Sequence, residues 1–400
     1  MQDLTHQPAE SIYAMKPQGL KLKQMLQELI GTPSMSSVSP EFDTSNRPVI
    51  DLLATWLEDL GFRVEVFPLP HQPHKANLLA SYGRVNDDSQ GLMLAGHTDT
   101  VPYDQHSWHH DPFQLTERDN RFYGLGTSDM KGFFALAIEA ARRFRPEELR
   151  QPLFILATAD EESSMEGALS LVERGCPHVR YAVIGEPTGL KPVNAHKGIM
   201  MEAIRLTGRS GHSSNPALGV NALEAMHGVI ADLLHWREGL QARHRDARFG
   251  VPVPTLNLGY IQGGDNPNRI CEQCELHFDL RALPGMDLEG VRQQLRARLD
   301  GLFKHSAIRW ELFSLSQGTP PLHTPADSPI VQAAEQHCRH ASQAVAFCTE
   351  GPYLSQLGIQ TIILGPGDID QAHQPDEFLD LARIEPGIEL LSQLIRRFCL

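Results

Sequence analysis

The chain has 400 residues, of which 41% are hydrophobic and 21% charged, as is typical of a globular protein with room for two or three domains. Its formal net charge of −14 excludes nucleic acid as the expected partner, because phosphate binding needs clustered Lys and Arg side chains. No segment is long and apolar enough to predict a membrane span, and the polar N-terminal tail over residues 1–19 lacks the features of a secretory signal.

Cysteine usage indicates a reducing, cytoplasmic location. The six cysteines of the sequence are Cys176, Cys271, Cys274, Cys338, Cys348 and Cys399. Only Cys271 and Cys274 form a C-x-x-C pair, which is half of a zinc ribbon, and no second pair follows at a suitable spacing. The alternation after this pair is typical of a strand, so we interpret both as ordinary strand cysteines with reduced thiols.

The predicted elements begin with two amphipathic helices, one over residues 20–30 and one from "RPVIDLL" to Gly61. Strands and helices then alternate as far as about residue 195. The predicted strands are "RVEVFPL", "ANLLASYG", "GLMLAGH", "PLFILATADEE" and "YAVIGEPT", and the helices between them are "DMKGFFALAIEAARRF" and "ALSLVERG". Because strands that alternate with helices form parallel sheets, this part predicts an α/β layer.

From about residue 196 the order changes to strand, helix, strand, strand, helix, strand, which is typical of a ferredoxin-like arrangement. After "GTPPLHT" the chain returns to α/β and ends in a helix. The predicted fold class is α/β, with a mostly parallel central sheet flanked by helices and an inserted ferredoxin-like α+β domain. We place the first domain at residues 20–195 and 316–400, and the insertion at residues 196–315.

Ionisable side chains follow several of the buried strands. They are His97 and Asp99 after "LMLAG", Asp129 in "GTSDMKGF", Glu161 and Glu162 in "ATADEE", Glu186 in "YAVIGE", and His373 in the loop after "TIIL". One acid at a strand end is usually a helix cap or a solvated residue, but these ends meet at one edge of a parallel sheet. Carboxylates gathered there repel one another unless cations neutralise them. Two histidines and three carboxylates suit a dinuclear site for Zn²⁺ or Co²⁺.

The motifs around these residues resemble a known family. "GHTDTVP", "GTSDMKGF", "ADEE", "GEPT" and "AHQPDE" together resemble the dinuclear metallo-aminoacylases and carboxypeptidases. A second set, "AHKG", "SGHSSNPALGVNA", "PTLNLGYIQGGDNPNRIC", "RALPGM" and "TEGPY", resembles the members that remove acetate from N2-acetyl-L-ornithine in arginine biosynthesis. The similarity runs from about residue 20 to the end. It implies a metal-dependent amide hydrolase with two divalent ions, Zn²⁺ or Co²⁺, in each subunit.

The resemblance implies a role for each of these side chains. The metal ligands would be His97, Asp129, Glu162, Glu186 and His373. Asp129 would bridge the two ions, and His97 and His373 would each bind one of them. Asp99 lies two residues after His97 on the same face, so its carboxylate would hold the ligand imidazole and fix its tautomer. Glu161 would be the general base that takes the proton of the attacking water.

Further roles fall outside the metal ligands. By the resemblance, the chain would form a homodimer, and His212 of the inserted domain would stabilise the oxyanion in the neighbouring subunit. Arg269 would bind the substrate α-carboxylate with its planar fork, and Asn268 beside it would belong to the same substrate site. Glu350 in "TEGPY" follows a strand, and we hypothesise that it recognises the side-chain ammonium of ornithine. A purely structural role for this loop acid fits the sequence equally well.

Three alternatives stay open at this point. The first is another deacylase that acts on a different small N-acyl amino acid. The second is a dipeptidase or aminopeptidase of the same fold, in which Glu350 or another acid reads a free α-amine. The third is a non-catalytic binding module, against which the complete ligand set and the presence of Glu161 argue. Neither a G-x-x-x-x-G-K-[ST] phosphate loop nor a G-x-S-x-G nucleophile elbow occurs in the sequence.

Overall fold

The computed structural model describes residues 21–86, 90–175 and 178–400, so the predicted tail over residues 1–19 and Cys176 lie outside the described residues. The strands are β1 Arg63–Pro68, β2 Ala76–Tyr82, β3 Leu92–His97, β4 Thr116–Arg118, β5 Arg121–Tyr123, β6 Leu153–Thr158, β7 Tyr181–Pro187, β8 Val193–His196, β9 Gly198–Thr207, β10 Thr255–Gly263, β11 Gln273–Ala282, β12 Arg309–Ser314, β13 Leu322–His323, β14 Gln343–Val345, β15 Gln360–Gly365 and β16 Phe378–Asp380. The α-helices are α1 Leu22–Ile30, α2 Arg47–Asp59, α3 Gly132–Ala141, α4 Glu166–Arg174, α5 Ala222–Arg243, α6 Leu288–Phe303, α7 Pro329–Cys338, α8 Gly351–Gln356 and α9 Ile384–Cys399. Short 3₁₀ helices cover Pro146–Glu148, Pro216–Leu218, Ile369–Gln371 and Leu381–Arg383.

The larger sheet has the strand order β1-β2-β6-β3-β7-β15-β8-β13, with β14 paired to β8. Its centre confirms the predicted parallel sheet, since β6, β3, β7 and β15 are neighbours and run parallel. Towards the margins, β1, β2 and β13 join by antiparallel pairing, as does β8 against β15. The carboxyl ends of the four central strands therefore meet along one edge.

Helices cover both faces of this sheet, which explains why its central strands are apolar along their whole length. Alternate residues of β3 point to opposite faces: Leu92 and Leu94 join the core formed with α1, α2, α3, α7 and α9. Met93 and Ala95 join a second core on the other face, together with residues of α4 and α8. The mixed α/β class with helices on a central sheet is thus confirmed.

The smaller sheet has the order β10-β11-β9-β12 and is antiparallel throughout. Helices α5 and α6 pack against it, and its buried residues form a separate core that includes Met200, Leu233 and Leu295. The order of its elements is the predicted ferredoxin-like one. The chain enters this sheet at Gly198, directly after β8, and leaves it at Ser314.

A third, three-stranded sheet has the order β16-β5-β4. It pairs Phe378 with Tyr123, residues that are far apart in sequence, and so joins the loop that carries His373 to the one that carries Asp129. The sequence analysis did not anticipate this sheet. Among the described residues, no helix has the combination of length and apolar character that crossing a bilayer requires.

Candidate metal centre

The predicted ligands lie where the central strands of the large sheet end. His97 is the last residue of β3, and Glu186 lies near the end of β7. Glu162 lies in the turn after β6, and His373 lies in the loop after β15. Asp129 joins them from the loop that leads into α3. Because β6, β3, β7 and β15 are adjacent and parallel, ligands distant in sequence converge at one edge.

Asp129 lies between the two histidines. Its Oδ1 is 3.1 Å from His97 Nε2, and its Oδ2 is 3.7 Å from His373 Nε2. On one side, His97 Nε2 also lies 3.7 Å from Glu186 Oε1. On the other side, His373 Nε2 lies 2.9 Å from Glu162 Oε2. One carboxylate with an oxygen facing each imidazole has the arrangement of a bridging ligand.

The position of Asp99 refines its expected role. His97 Nδ1 contacts the backbone carbonyl of Asp99 at 2.9 Å, whereas the nearest carboxylate oxygen is 3.6 Å away. The carboxylate instead accepts hydrogen bonds from the backbone N–H groups of Glu161 and Glu162 and from the Ser36 hydroxyl. The main chain of Asp99 therefore fixes the imidazole tautomer, while its side chain holds the turn that carries the two glutamates.

The electrostatics of this cluster favour added positive charge. Burial raises the pKa of Glu161 and of Glu186 well above the usual range, and neighbouring carboxylates add to the effect. Burial lowers the pKa of His97, but the hydrogen bond to Asp129 and the charge of Glu186 raise it overall. The hydrogen bond that His373 Nε2 donates to the Glu162 carboxylate raises the pKa of His373 to about 9. Protons are thus drawn to this cluster, as metal cations would be.

The donor set fits divalent cations. Single ligand atoms of His97, Glu161 and Glu186 lie within 4.8 Å of one another, and so do those of His97, Asp129 and Glu162. Imidazole nitrogens and carboxylate oxygens are ligands that Zn²⁺ and Co²⁺ both accept. The first group includes Glu161, so proximity alone does not separate this residue from the ligands.

Glu350 lies at the N-terminus of α8 and is buried, close enough to this cluster to interact electrostatically with Glu186 and His97. Its Oε2 accepts a hydrogen bond of 2.6 Å from the Thr158 hydroxyl, and its Oε1 has no hydrogen-bond partner among the described residues. Burial raises the pKa of Glu350 to about 7, although the hydrogen bond from Thr158 opposes this rise. A buried carboxyl with one unpaired oxygen is costly, so a nearby cation or a proton would stabilise it.

The structure brings His212, Asn268 and Arg269 together on the small sheet. A backbone bridge pairs His212 with Arg269, and the Ser213 N–H donates to the carbonyl of Asn268. All three predicted residues are exposed. Arg269 forms an ion pair of 2.7 Å with Asp265, also exposed. No described contact joins these residues to the metal ligands of the same chain.

Two residues that the sequence analysis did not single out support the ligands. Glu377 is buried and accepts hydrogen bonds from the backbone N–H groups of Ser128 and Asp129. Lys75 is also buried and forms ion pairs of 2.7 Å with Asp43 and with Asp160, the residue before Glu161. The "HQPDE" motif contains Glu377 four residues after the predicted ligand His373, and this spacing was the signal for Glu377 in the sequence.

Comparison with known proteins places the chain among metallopeptidases and deacylases. The sequence profile of peptidase family M20/M25/M40 matches residues 93–397. The acetylornithine deacetylase of Pasteurella multocida is 50% identical over 378 residues, which cover 94% of this chain and 97% of that protein. The acetylornithine deacetylase of Edwardsiella ictaluri is 50% identical over 371 residues, covering 93% and 96%.

Solved structures agree on the fold. Aminopeptidase PepT from Bacillus cereus superposes with a TM-score of 0.72 at 19% identity, covering 94% of this chain and 98% of that one. The Bacillus subtilis YXEP protein, described as a dinuclear metal binding peptidase, gives 0.67 at 16% identity, covering 94% and 97%. The family profile matches more than half of the sequence, and relatives that are 50% identical align with nearly all of it. This chain therefore belongs to peptidase family M20/M25/M40.

Proposed function

We propose that this chain is a metal-dependent amide hydrolase that removes acetate from N2-acetyl-L-ornithine to give L-ornithine, a step of arginine biosynthesis in the cytoplasm. The choice of substrate is supported by the similarity to acetylornithine deacetylases, which are 50% identical to this chain over 94% and 93% of its length. The observation that carries the chemistry is the convergence of two imidazoles and three carboxylates at the sheet edge.

The distances support one grouping of the ligands. His97 and Glu186 would hold one divalent ion, His373 and Glu162 would hold the other, and Asp129, which lies between the two histidines, would serve both. When bound, two such ions act as Lewis acids toward the amide carbonyl and the attacking water. Zn²⁺ and Co²⁺ both accept these ligands.

Proton transfer falls to Glu161. Its neighbour Glu162 turns toward His373, while Glu161 lies near His97 and Glu186. The carboxylate of Glu161 accepts the proton of the attacking water and passes it to the leaving α-amine. Asp99 positions this group, because its side chain holds the backbone N–H groups of both glutamates.

The exposed loop on the small sheet completes the site in a homodimer. In this proposal residues 196–315 form the dimerisation domain and lid, and His212 reaches the active site of the other subunit to stabilise the oxyanion. Its Nδ1 is engaged by the N–H and the hydroxyl of Ser214, which leaves Nε2 to face outward. Arg269 and Asn268, beside it, bind the substrate α-carboxylate.

Glu350 is our candidate for recognising the ornithine ammonium, with its unpaired Oε1 as the supporting observation. The variant Glu350→Gln tests this role. We expect a larger loss of kcat/KM with acetylornithine than with acetylmethionine, because only the first substrate carries a cationic side chain. Equal losses would leave Glu350 a purely structural role.

The proposed reaction is tested with a panel of substrates. Steady-state hydrolysis is measured for acetylornithine, acetylcitrulline, acetylmethionine, succinyl-diaminopimelate and a dipeptide with a free α-amine, with metal content determined on the same sample. We expect acetylornithine to give the highest kcat/KM. Preference for another N-acyl amino acid would identify the chain as an acetylcitrulline deacetylase, a succinyl-diaminopimelate desuccinylase or a general aminoacylase. Cleavage of a dipeptide with a free α-amine, without cleavage of acetylornithine, would identify a peptidase.

A further inference from the structure

The two ligand imidazoles are held in different ways. His97 is buried, and the carbonyl of Asp99 holds its Nδ1. The His373 side chain is 55% exposed, and no described residue hydrogen-bonds its Nδ1. Ligand histidines are usually oriented by a partner at the second ring nitrogen. With no such partner at Nδ1 among the described residues, the position of the His373 ring depends on the contact of its Nε2 with Glu162 and on the backbone that carries it. That backbone belongs to the HQPDE segment, residues 373–377.

Glu377 joins the HQPDE segment to the loop that carries Asp129. Its Oε1 accepts hydrogen bonds from the N–H groups of Ser128 at 2.7 Å and Asp129 at 2.9 Å. Its Oε2 accepts from the Gly126 N–H at 3.0 Å. Its own backbone carbonyl accepts from the Gly124 N–H at 3.0 Å. One buried residue thus fixes the main chain of the bridging carboxylate relative to His373.

Asp376 joins the same segment to the loop that follows Asp99. Its Oδ1 accepts hydrogen bonds from the N–H groups of His109 at 2.9 Å and His110 at 3.0 Å. Its two oxygens also contact the Nδ1 atoms of both rings, at 2.6 Å for His109 and 3.1 Å for His110. The His110 ring is itself stacked on Tyr123, with ring centroids 4.5 Å apart. The Asp376 side chain therefore holds the HQPDE segment at a second point, through the backbone and rings of His109 and His110.

We propose that Asp376 is a positioning residue that holds the HQPDE segment, while Glu377 holds the loop of Asp129, so that loss of the Asp376 contacts changes the distance from His373 to Asp129 and weakens affinity for the ion on the His373 side. The proposal rests on the dinuclear centre described under Proposed function. Neither carboxylate contacts a ligand side chain among the described hydrogen bonds and ion pairs, so both act through the backbone. Loss of the Asp376 contacts should release His373 and leave His97 in place, because His97 is held separately by β3 and Asp99.

The test measures metal binding directly. The full-length chain is depleted of metal with a chelator and titrated calorimetrically with Zn²⁺, and the visible absorption of the Co²⁺ form is recorded. For Asp376→Ala we expect the dissociation constant of one ion to rise at least about tenfold, the lower range for residues that support ligands, with the other changed by less than about twofold. Asp376→Asn keeps an acceptor oxygen for the two backbone N–H groups, so we expect a smaller rise of about threefold.

Asp246→Ala is the matched control, because Asp246 also accepts hydrogen bonds from a backbone N–H and a side chain, those of Arg248, but lies on the small-sheet part of the chain. We expect it to leave both constants unchanged. Circular dichroism verifies that each variant is folded. If Asp376→Ala does not fold, Asp376→Asn decides, and an unchanged pair of constants overturns the positioning role. Equal weakening of both ions in a folded variant also overturns it. A wild-type chain that binds only one ion would instead overturn the dinuclear centre.

Discussion

The metal centre and the loop of His212, Asn268 and Arg269 differ in how the chain holds them. At the candidate metal centre, the predicted ligands meet at strand ends, where His97, Asp129 and Glu186 are buried and His373 is exposed. Contacts to the backbone from Asp99 and Glu377 fix the elements that carry them. Beside the small sheet, the three loop residues are exposed. A backbone bridge joins His212 to Arg269, and Arg269 forms an ion pair with the exposed Asp265. The side chains of the first region are positioned by contacts within one chain, whereas those of the second region are exposed at the surface.

This difference matches the two roles in the proposed mechanism, which are proton transfer by Glu161 and stabilisation of the oxyanion by His212 of the other subunit. Proton transfer requires a group fixed within hydrogen-bond reach of the water, and burial supplies that rigidity. A group that acts on another subunit must instead remain accessible until the subunits meet. The experiments below test whether the two regions belong to one active site, and they are ordered from the largest expected effect to the smallest.

The largest effect is expected for Glu161→Gln, which keeps the shape of the side chain but removes the base. We expect turnover of acetylornithine to fall at least about a hundredfold, the usual scale for loss of a general base, with metal content unchanged. Glu166→Gln, at the start of α4 and outside the ligand cluster, should retain turnover within about twofold. Near-normal turnover of Glu161→Gln would remove Glu161 from the mechanism, and loss of metal would make it a ligand.

Mixed dimers test whether the exposed loop serves the neighbouring chain. Homodimers of His212→Ala and of Glu161→Gln should each be nearly inactive. In a mixed dimer, the His212→Ala chain keeps its own Glu161 and receives the intact His212 of its partner. That site should recover, giving up to about half of wild-type activity per mixed dimer if the sites are independent.

Differently tagged chains allow subunit exchange to be verified before activity is measured. Exchange without recovery would contradict action of His212 across the interface. A wild-type chain that is monomeric by light scattering but fully active would contradict the proposed dimer as well.

A smaller effect is expected for Arg269→Lys, which keeps the positive charge but loses the planar fork. We expect KM for acetylornithine to rise about tenfold with little change in kcat, because the lost contact binds substrate and transition state alike. Arg248→Lys, another partly exposed arginine paired with an aspartate, should leave KM unchanged and serves as the control. An unchanged KM for Arg269→Lys would exclude Arg269 from the carboxylate site.

The smallest effect concerns the joint between the two sheets, where His196 ends β8. Its Nδ1 donates to the Lys197 carbonyl, and its Nε2 accepts from the Thr349 hydroxyl, so the neutral ring is satisfied. Burial lowers the pKa of His196 to about 4, which means that the unfolded chain binds this proton more readily between about pH 4 and 6.5. The free energy of unfolding should therefore fall by about 1 kcal/mol from this residue alone as the pH drops from about 7 to about 5.5.

Urea unfolding of wild type and His196→Gln at these two pH values checks this contribution. The variant should lose less stability than wild type on acidification. His235→Gln, on the exposed face of α5, should follow wild type and is the matched control. Parallel loss in wild type and His196→Gln would show that His196 does not contribute to the acid sensitivity.

The sequence by itself determined the central strands of the large sheet, the order of elements in the small sheet and the candidate metal ligands. Strand and helix periodicities are local properties, and a histidine or acid at the end of an apolar run is visible without any knowledge of its neighbours. The carboxyl ends of parallel strands lie at the same edge of a sheet, and this rule was enough to predict that His97, Glu162 and Glu186 lie close together.

Only the tertiary structure decided what surrounds these ligands. Contacts such as those of Glu377 with Asp129 and of Asp376 with His110 join residues more than two hundred positions apart, and their geometry depends on the pairing of β16 with β5. The burial of Glu350 likewise depends on how α8 packs. Local sequence patterns carry no information about such long-range packing, because it is fixed by the whole core rather than by neighbouring residues.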